Sequence, residues 1–131
     1  MDLPQAIRTV ERSLVSVVDD DESVRESLPD LLREFGFAVR AFSSAEEFLS
    51  SDAAGETRCL ILDIAMPGMS GLDLQQELQR SGWTIPVVFI TAQKDKVIQD
   101  RVFKQGAAAV LLKPFSDAAL FEAVMAAMKI E

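Results

Sequence analysis

Cys59-Leu60-Ile61-Leu62-Asp63, running into Ile64-Ala65-Met66-Pro67-Gly68-Met69-Ser70-Gly71, is the stretch on which the fold turns. A short apolar run that ends in a carboxylate and breaks into a Pro/Gly loop reads as a buried strand. Its last side chain is held at the rim of a sheet, facing a loop. Three other runs end the same way: Leu14 to Val18 leads into Asp19-Asp20-Asp21, Val87 to Ile90 into Thr91, and Ala109 to Leu112 into Lys113. In an open parallel α/β sheet, such strand ends converge on one edge, where ligands bind.

Between these runs lie segments of helical period, the alternation expected of βα units. The first strand is expected near 13–18. A helix over about 22–35 carries Val24, Leu28, Leu31, Leu32 and Phe35 and ends at Gly36. A second strand covers about 37–42, and Ser43 or Ser44 caps a short helix to Leu49. A third strand lies near 58–62. Leu72, Leu74 and Leu78 mark a helix that stops before Gly82. The fourth strand is placed at 86–90, the next helix at about 94–105, and the fifth strand at 109–112. Ser116 or Asp117 caps a last helix carrying Leu120, Phe121, Val124 and Met128. Pro29 conflicts with the first helix, because it has no N–H and crowds the carbonyl of Arg25. A kink near Arg25–Pro29, or an early end and restart, is the expectation. Residues 1–11 read as an N-terminal leader and 12–131 as one domain.

At 49% hydrophobic, 131 residues suffice for one packed core. A formal charge of −8 disfavours phosphate backbones and anionic lipid surfaces, so direct nucleic-acid or membrane binding is not expected. No apolar stretch approaches the roughly 20 residues of a membrane span, and no secretory signal pattern is visible. A lone cysteine, Cys59, fits a reducing cytoplasmic setting. The chain has no histidine, which excludes Ser-His or Cys-His nucleophile pairs and histidine metal ligands. Carboxylates, a lysine, hydroxyls and backbone groups are left to carry the chemistry.

Four motifs in order, Val-Val-Asp-Asp-Asp at 17–21, Leu-Asp-Ile-Ala-Met-Pro-Gly-Met-Ser-Gly at 62–71, Ile-Thr-Ala at 90–92 and Lys-Pro-Phe at 113–115, resemble the receiver domain of two-component response regulators. The likeness extends from about Leu14 to Met128, and its wording is most similar to receivers joined to LuxR-type DNA-binding domains. It implies a flavodoxin-like (βα)5 three-layer sandwich with a parallel sheet in the order 2-1-3-4-5. It implies that Asp63 is the phosphoacceptor, assisted by Lys113 and the switch hydroxyl of Thr91. Asp20, Asp63 and the backbone carbonyl of Ala65 would hold Mg²⁺ or Mn²⁺, with Asp19 acting mainly through water. The Lys113–Pro114 bond would be cis.

The partner implied is a sensor histidine kinase. The readout would be homodimerisation through the fourth helix and fifth strand, or control of an output domain or partner in transcription. The domain would support its own phosphorylation and dephosphorylation without turning over a separate substrate. Val110 stands where the family usually places an aromatic beside the switch threonine. That departure sustains an alternative reading, a receiver-like protein-interaction module that works without phosphorylation. Taken singly, each residue has a plainer role: Asp63 a loop or capping carboxylate, Asp19 and Asp20 helix caps, Thr91 a strand former, Lys113 a surface charge. Their joint occurrence at four strand ends favours the phosphoryl switch.

Overall fold

The computed structural model describes residues 13–92 and 96–129. The expected leader over 1–11 and the expected start of the fourth helix near Lys94 lie outside them. Five strands, β1 (Leu14–Val18), β2 (Ala38–Phe42), β3 (Thr57–Asp63), β4 (Val87–Thr91) and β5 (Ala109–Leu112), form one sheet in the order β2-β1-β3-β4-β5. Every pairing is parallel. The helices are α1 (Glu22–Glu34), α2 (Ala45–Ser50), α3 (Gly71–Arg80), α4 (Lys96–Lys104) and α5 (Asp117–Met128).

Alternation along the strands sorts the core into two halves. Leu60, Leu62, Val87 and Phe89 face Phe48 of α2, Leu74 and Leu78 of α3, and Val102 of α4. Cys59, Ile61, Val88 and Ile90 face Leu28 and Leu32 of α1, and Leu120 and Val124 of α5. The central strands are therefore covered on both faces, which is why they read as unbroken apolar runs. Each fully buried side chain of this kind contributes about 1.5–3 kcal/mol.

Helix starts follow the expected cap chemistry and resolve the open choices. Asp21 accepts from the Ser23 N–H at 2.9 Å, Ser44 from Glu47 at 3.0 Å, and Ser116 from Ala119 at 3.0 Å. Ser70 and Asp73 form a reciprocal capping box at the start of α3. Gly36 takes a φ of 101° just past α1, as a C-terminal glycine should.

Several boundaries move by a residue. β3 begins at Thr57, one residue early, because the Thr57 hydroxyl donates to the Ala53 carbonyl at 2.7 Å and accepts from Ser16 across the ladder at 2.7 Å. β4 starts after Pro86, which has no N–H for the ladder. Pro29 does not end α1. The helix runs without a restart from Glu22 to Glu34, with Pro29 buried between Leu28 and Leu32. Packing of that apolar stripe outweighs the missing backbone bond. Among the described residues, no helix is long and apolar enough to cross a membrane.

Candidate functional site

The parallel register brings the polar strand ends together. Val18 pairs with Leu62, Asp63 with Ile90, and Thr91 with Leu112, so the residues that close β1, β3, β4 and β5 share one rim. Asp19 is wholly buried, Asp63 keeps 7% of its surface, and Asp20 is exposed. One carboxylate oxygen from each of these three lies within 4.8 Å of the others. The Lys113 ammonium donates to Asp19 Oδ2 at 3.1 Å and lies 3.9 Å from Asp63 Oδ2.

Asp19 is held at each polar atom. Its N–H donates to the Phe42 carbonyl at 3.1 Å, and its own carbonyl accepts from Arg25 Nη1 at 3.0 Å. Asp19 Oδ1 accepts from the Asp21 N–H at 2.9 Å, while Oδ2 takes the lysine. Asp63 Oδ1 accepts a long bond, 3.3 Å, from the Ala65 N–H. Burial, then the charge of Asp19, push the Asp63 carboxyl up to about 7, against the opposing pull of Lys113 and the Ala65 N–H. Clustered carboxylates with one ammonium among them leave negative charge uncompensated. That donor set suits a hard divalent cation, which binds oxygen ligands and reverses the local preference for a proton. The residues fit Mg²⁺ or Mn²⁺.

Thr91 is buried at 1%, and its carbonyl accepts the Lys113 N–H at 2.8 Å, tying β4 to the lysine. The Lys113–Pro114 peptide bond is cis. Val110 and Ile98 of α4 are both partly buried against the same core half. Val24, Leu28, Leu31, Pro114 and Phe115 line a groove of about 550 Å³ beside Lys113.

Glycines shape the loop after Asp63 in two different ways. Gly68 has a φ of 74°, as turn chemistry requires. Gly71 opens α3, where a Cβ would lie 2.3 Å from the Asp63 carbonyl oxygen; close approach, not a turn, demands glycine there. Two other residues escaped the sequence pattern. Glu46 of α2 accepts from the Met69 N–H at 3.3 Å and steadies the loop. Arg25 reaches back six positions to Asp19, and nothing in the period of α1 signals it. Trp83 lies beside Gly55 and Arg58, before β4 at the opposite rim of the sheet.

Comparison with known proteins bears on the family and the fold. The family model for the response regulator receiver domain matches residues 15–125. Nodulation protein W of Bradyrhizobium diazoefficiens is 47% identical over 116 residues, covering 88% of this chain and 51% of that protein. The response regulator protein TodT of Pseudomonas putida F1 is 41% identical over 118 residues, covering 90% and 52%. The chain spans about half the length of these curated relatives. Among solved structures, response regulator StyR superposes with a TM-score of 0.83 at 45% identity, over 90% of this chain and 60% of that one. FixJ-N superposes with a TM-score of 0.81 at 38% identity, over 89% and 94%.

Proposed function

The chain belongs to the response regulator receiver family, whose function is switching by phosphorylation, and from that membership we propose that Asp63 is the phosphoacceptor of this domain. The supporting observation is the convergence of Asp19, Asp20, Asp63 and Lys113 on one rim. The donor is the phosphohistidine of a sensor kinase, which lies outside this chain because the chain has no histidine. The groove beside Lys113, lined by Val24, Leu28, Leu31 and Phe115 together with Asp30 and Glu34, supports a docking face for the donor domain.

An Asp63 carboxylate oxygen attacks phosphorus, the P–N bond breaks, and the electron pair leaves with the imidazole. Lys113 faces the developing charge from the Asp63 Oδ2 side, and the Thr91 hydroxyl donates to a phosphoryl oxygen. Asp20, Asp63 and the Ala65 carbonyl would hold Mg²⁺, with Asp19 behind them, and the cation when bound supplies charge neutralisation at the phosphoryl oxygens. Water later cleaves the acyl phosphate and restores the carboxylate. No separate substrate is turned over.

The phosphoryl group adds about −1.5 to −2 charges. New partners for Thr91 and Lys113 favour a second arrangement of α4 and β5, to the extent that the two arrangements differ in those contacts. Val97 and Phe103 of α4 and Leu112 of β5 are exposed apolar side chains, which supports this surface as a phosphorylation-dependent homodimer face. Relatives bear names such as transcriptional regulatory protein TdiR and FixJ, which supports a cytoplasmic role in transcription through an output domain or partner. At a net charge of −8, this domain does not itself bind DNA.

Treatment with acetyl phosphate and Mg²⁺, followed by intact mass measurement, tests the proposal. One phosphoryl mass is gained by the native chain and none by Asp63→Asn. Equal labelling of both would end it. Val110, in place of a ring, favours the second reading, an interaction module indifferent to phosphorylation; no mass gain in the native chain would select it.

A further inference from the structure

The described residues place one cation, Arg25, where the proposed chemistry does not use it. Its Nη1 donates to the Asp19 carbonyl at 3.0 Å in a half-buried setting. The bond crosses the whole first turn of α1, from the fourth helical residue back to the end of β1. Asp20 is exposed, and what fixes its backbone lies on either side of it. On one side is Asp19, tied at N–H, carbonyl, Oδ1 and Oδ2. On the other is Asp21, locked by its cap bond to Ser23 and by its N–H to Asp19 Oδ1.

Of the four bonds on Asp19, two lie within the sheet or the adjoining loop and one reaches Lys113, which also faces Asp63. Asp21 is tied to α1 by its Ser23 cap bond and by its carbonyl, which accepts from the Val24 and Arg25 N–H groups. Of the four bonds on Asp19, the one from the Arg25 side chain is the one that reaches α1. We infer that Arg25 is a positioning residue that holds the Asp19–Asp21 loop so that Asp20 presents its carboxylate toward Asp63 for a divalent cation. The inference rests on the proposed metal site and assigns Arg25 no contact with the cation.

Charge and geometry make opposite demands here, and that makes the role measurable. Deleting a positive charge near three carboxylates tightens cation binding by Coulomb attraction alone. Loosening the loop that orients a ligand weakens it, by about tenfold where an outer support of a metal ligand is lost. Calorimetric titration of the metal-free protein with Mg²⁺ reads the sign.

Arg25→Met is expected to bind Mg²⁺ about tenfold more weakly than the native chain, despite losing a positive charge. Without metal, its Asp21 amide, which donates to Asp19 Oδ1, exchanges with solvent faster. Arg33→Met removes a charge from the exposed face of α1, where Arg33 pairs only with Asp30, and is expected to leave affinity unchanged or slightly tighter. Affinity in Arg25→Met equal to or tighter than native overturns the inference while leaving the metal site standing. Absence of saturable Mg²⁺ binding in the native chain overturns both. Should Arg25→Met fail to fold, Arg25→Gln carries the same expectations, since its neutral amide is too short to reach the Asp19 carbonyl.

Discussion

The Lys113 ammonium is closer to Asp19 Oδ2, at 3.1 Å, than to Asp63 Oδ2, at 3.9 Å. The lysine is thus moored on the buried carboxylate that has no exposed surface and leans toward the one proposed to react. Asp19 is a strut for Lys113 as much as a member of the acidic cluster.

Removing the lysine strands two buried carboxylates. Lys113→Met is expected to lower the stability of the metal-free protein at pH 8 by about 1–3 kcal/mol. That is less than the roughly 3–5 kcal/mol of a fully buried pair, because Lys113 remains a quarter exposed. Chemical denaturation measures it. Acyl-phosphate formation should slow at least about tenfold, the size expected when a stabiliser of transition-state charge is lost.

The acidic site also sets a pH dependence. The Asp63 carboxyl titrates near 3.8 when unperturbed and is pushed up to about 7 in the folded protein. Between those values the folded state keeps a proton that the unfolded state has lost, so stability falls as pH rises across this window. In metal-free protein, Asp63→Asn should flatten the fall and be more stable than native at pH 8, by a few kcal/mol at most. Unfolding midpoints at pH 5 and pH 8 decide it; a native protein whose stability rises from pH 5 to pH 8 with the same slope as Asp63→Asn would refute the raised carboxyl.

Two glycines in one loop should respond unequally. Gly71→Ala puts a methyl group against the Asp63 carbonyl oxygen, and backbone must move at the reacting residue itself. Gly68→Ala meets only the far end of the Glu46 side chain, though at a strained φ of 74°. About 1–2 kcal/mol is expected for Gly68→Ala and clearly more for Gly71→Ala, with a larger loss of phosphorylation, read by thermal melts and intact mass.

Phe103 on α4 is half exposed, and Val97 of the same helix and Leu112 on β5 are exposed to differing degrees. Phosphorylation should increase the size of the native protein in light scattering; Phe103→Ser should leave acetyl-phosphate labelling unchanged and abolish that increase. An undiminished dimer would move the interface elsewhere.

Most of the architecture was legible because the chemistry is one-dimensional. Apolar runs that stop at Asp63, Thr91 and Lys113 mark strand ends, and Ser43 or Ser44 and Ser116 or Asp117 mark two helix starts, at which Ser44 and Ser116 are the caps. The end and restart allowed for at Pro29 does not occur, because propensity counts a lost backbone bond, whereas α1 is held by Leu28 and Leu32 packed on the sheet. Gly71, Glu46 and Arg25 act across space, on a carbonyl, a loop amide and a strand end. No spacing in the chain announces such contacts.

Cys59 is sealed in the middle of β3, with its thiol pushed up to about 12 by burial. As the chain's sole sulfhydryl, it stays silent toward alkylating and disulfide reagents for as long as the sheet remains closed. Reagent uptake therefore counts openings of the central strand, a built-in clock for comparing the phosphorylated and resting forms without an added label.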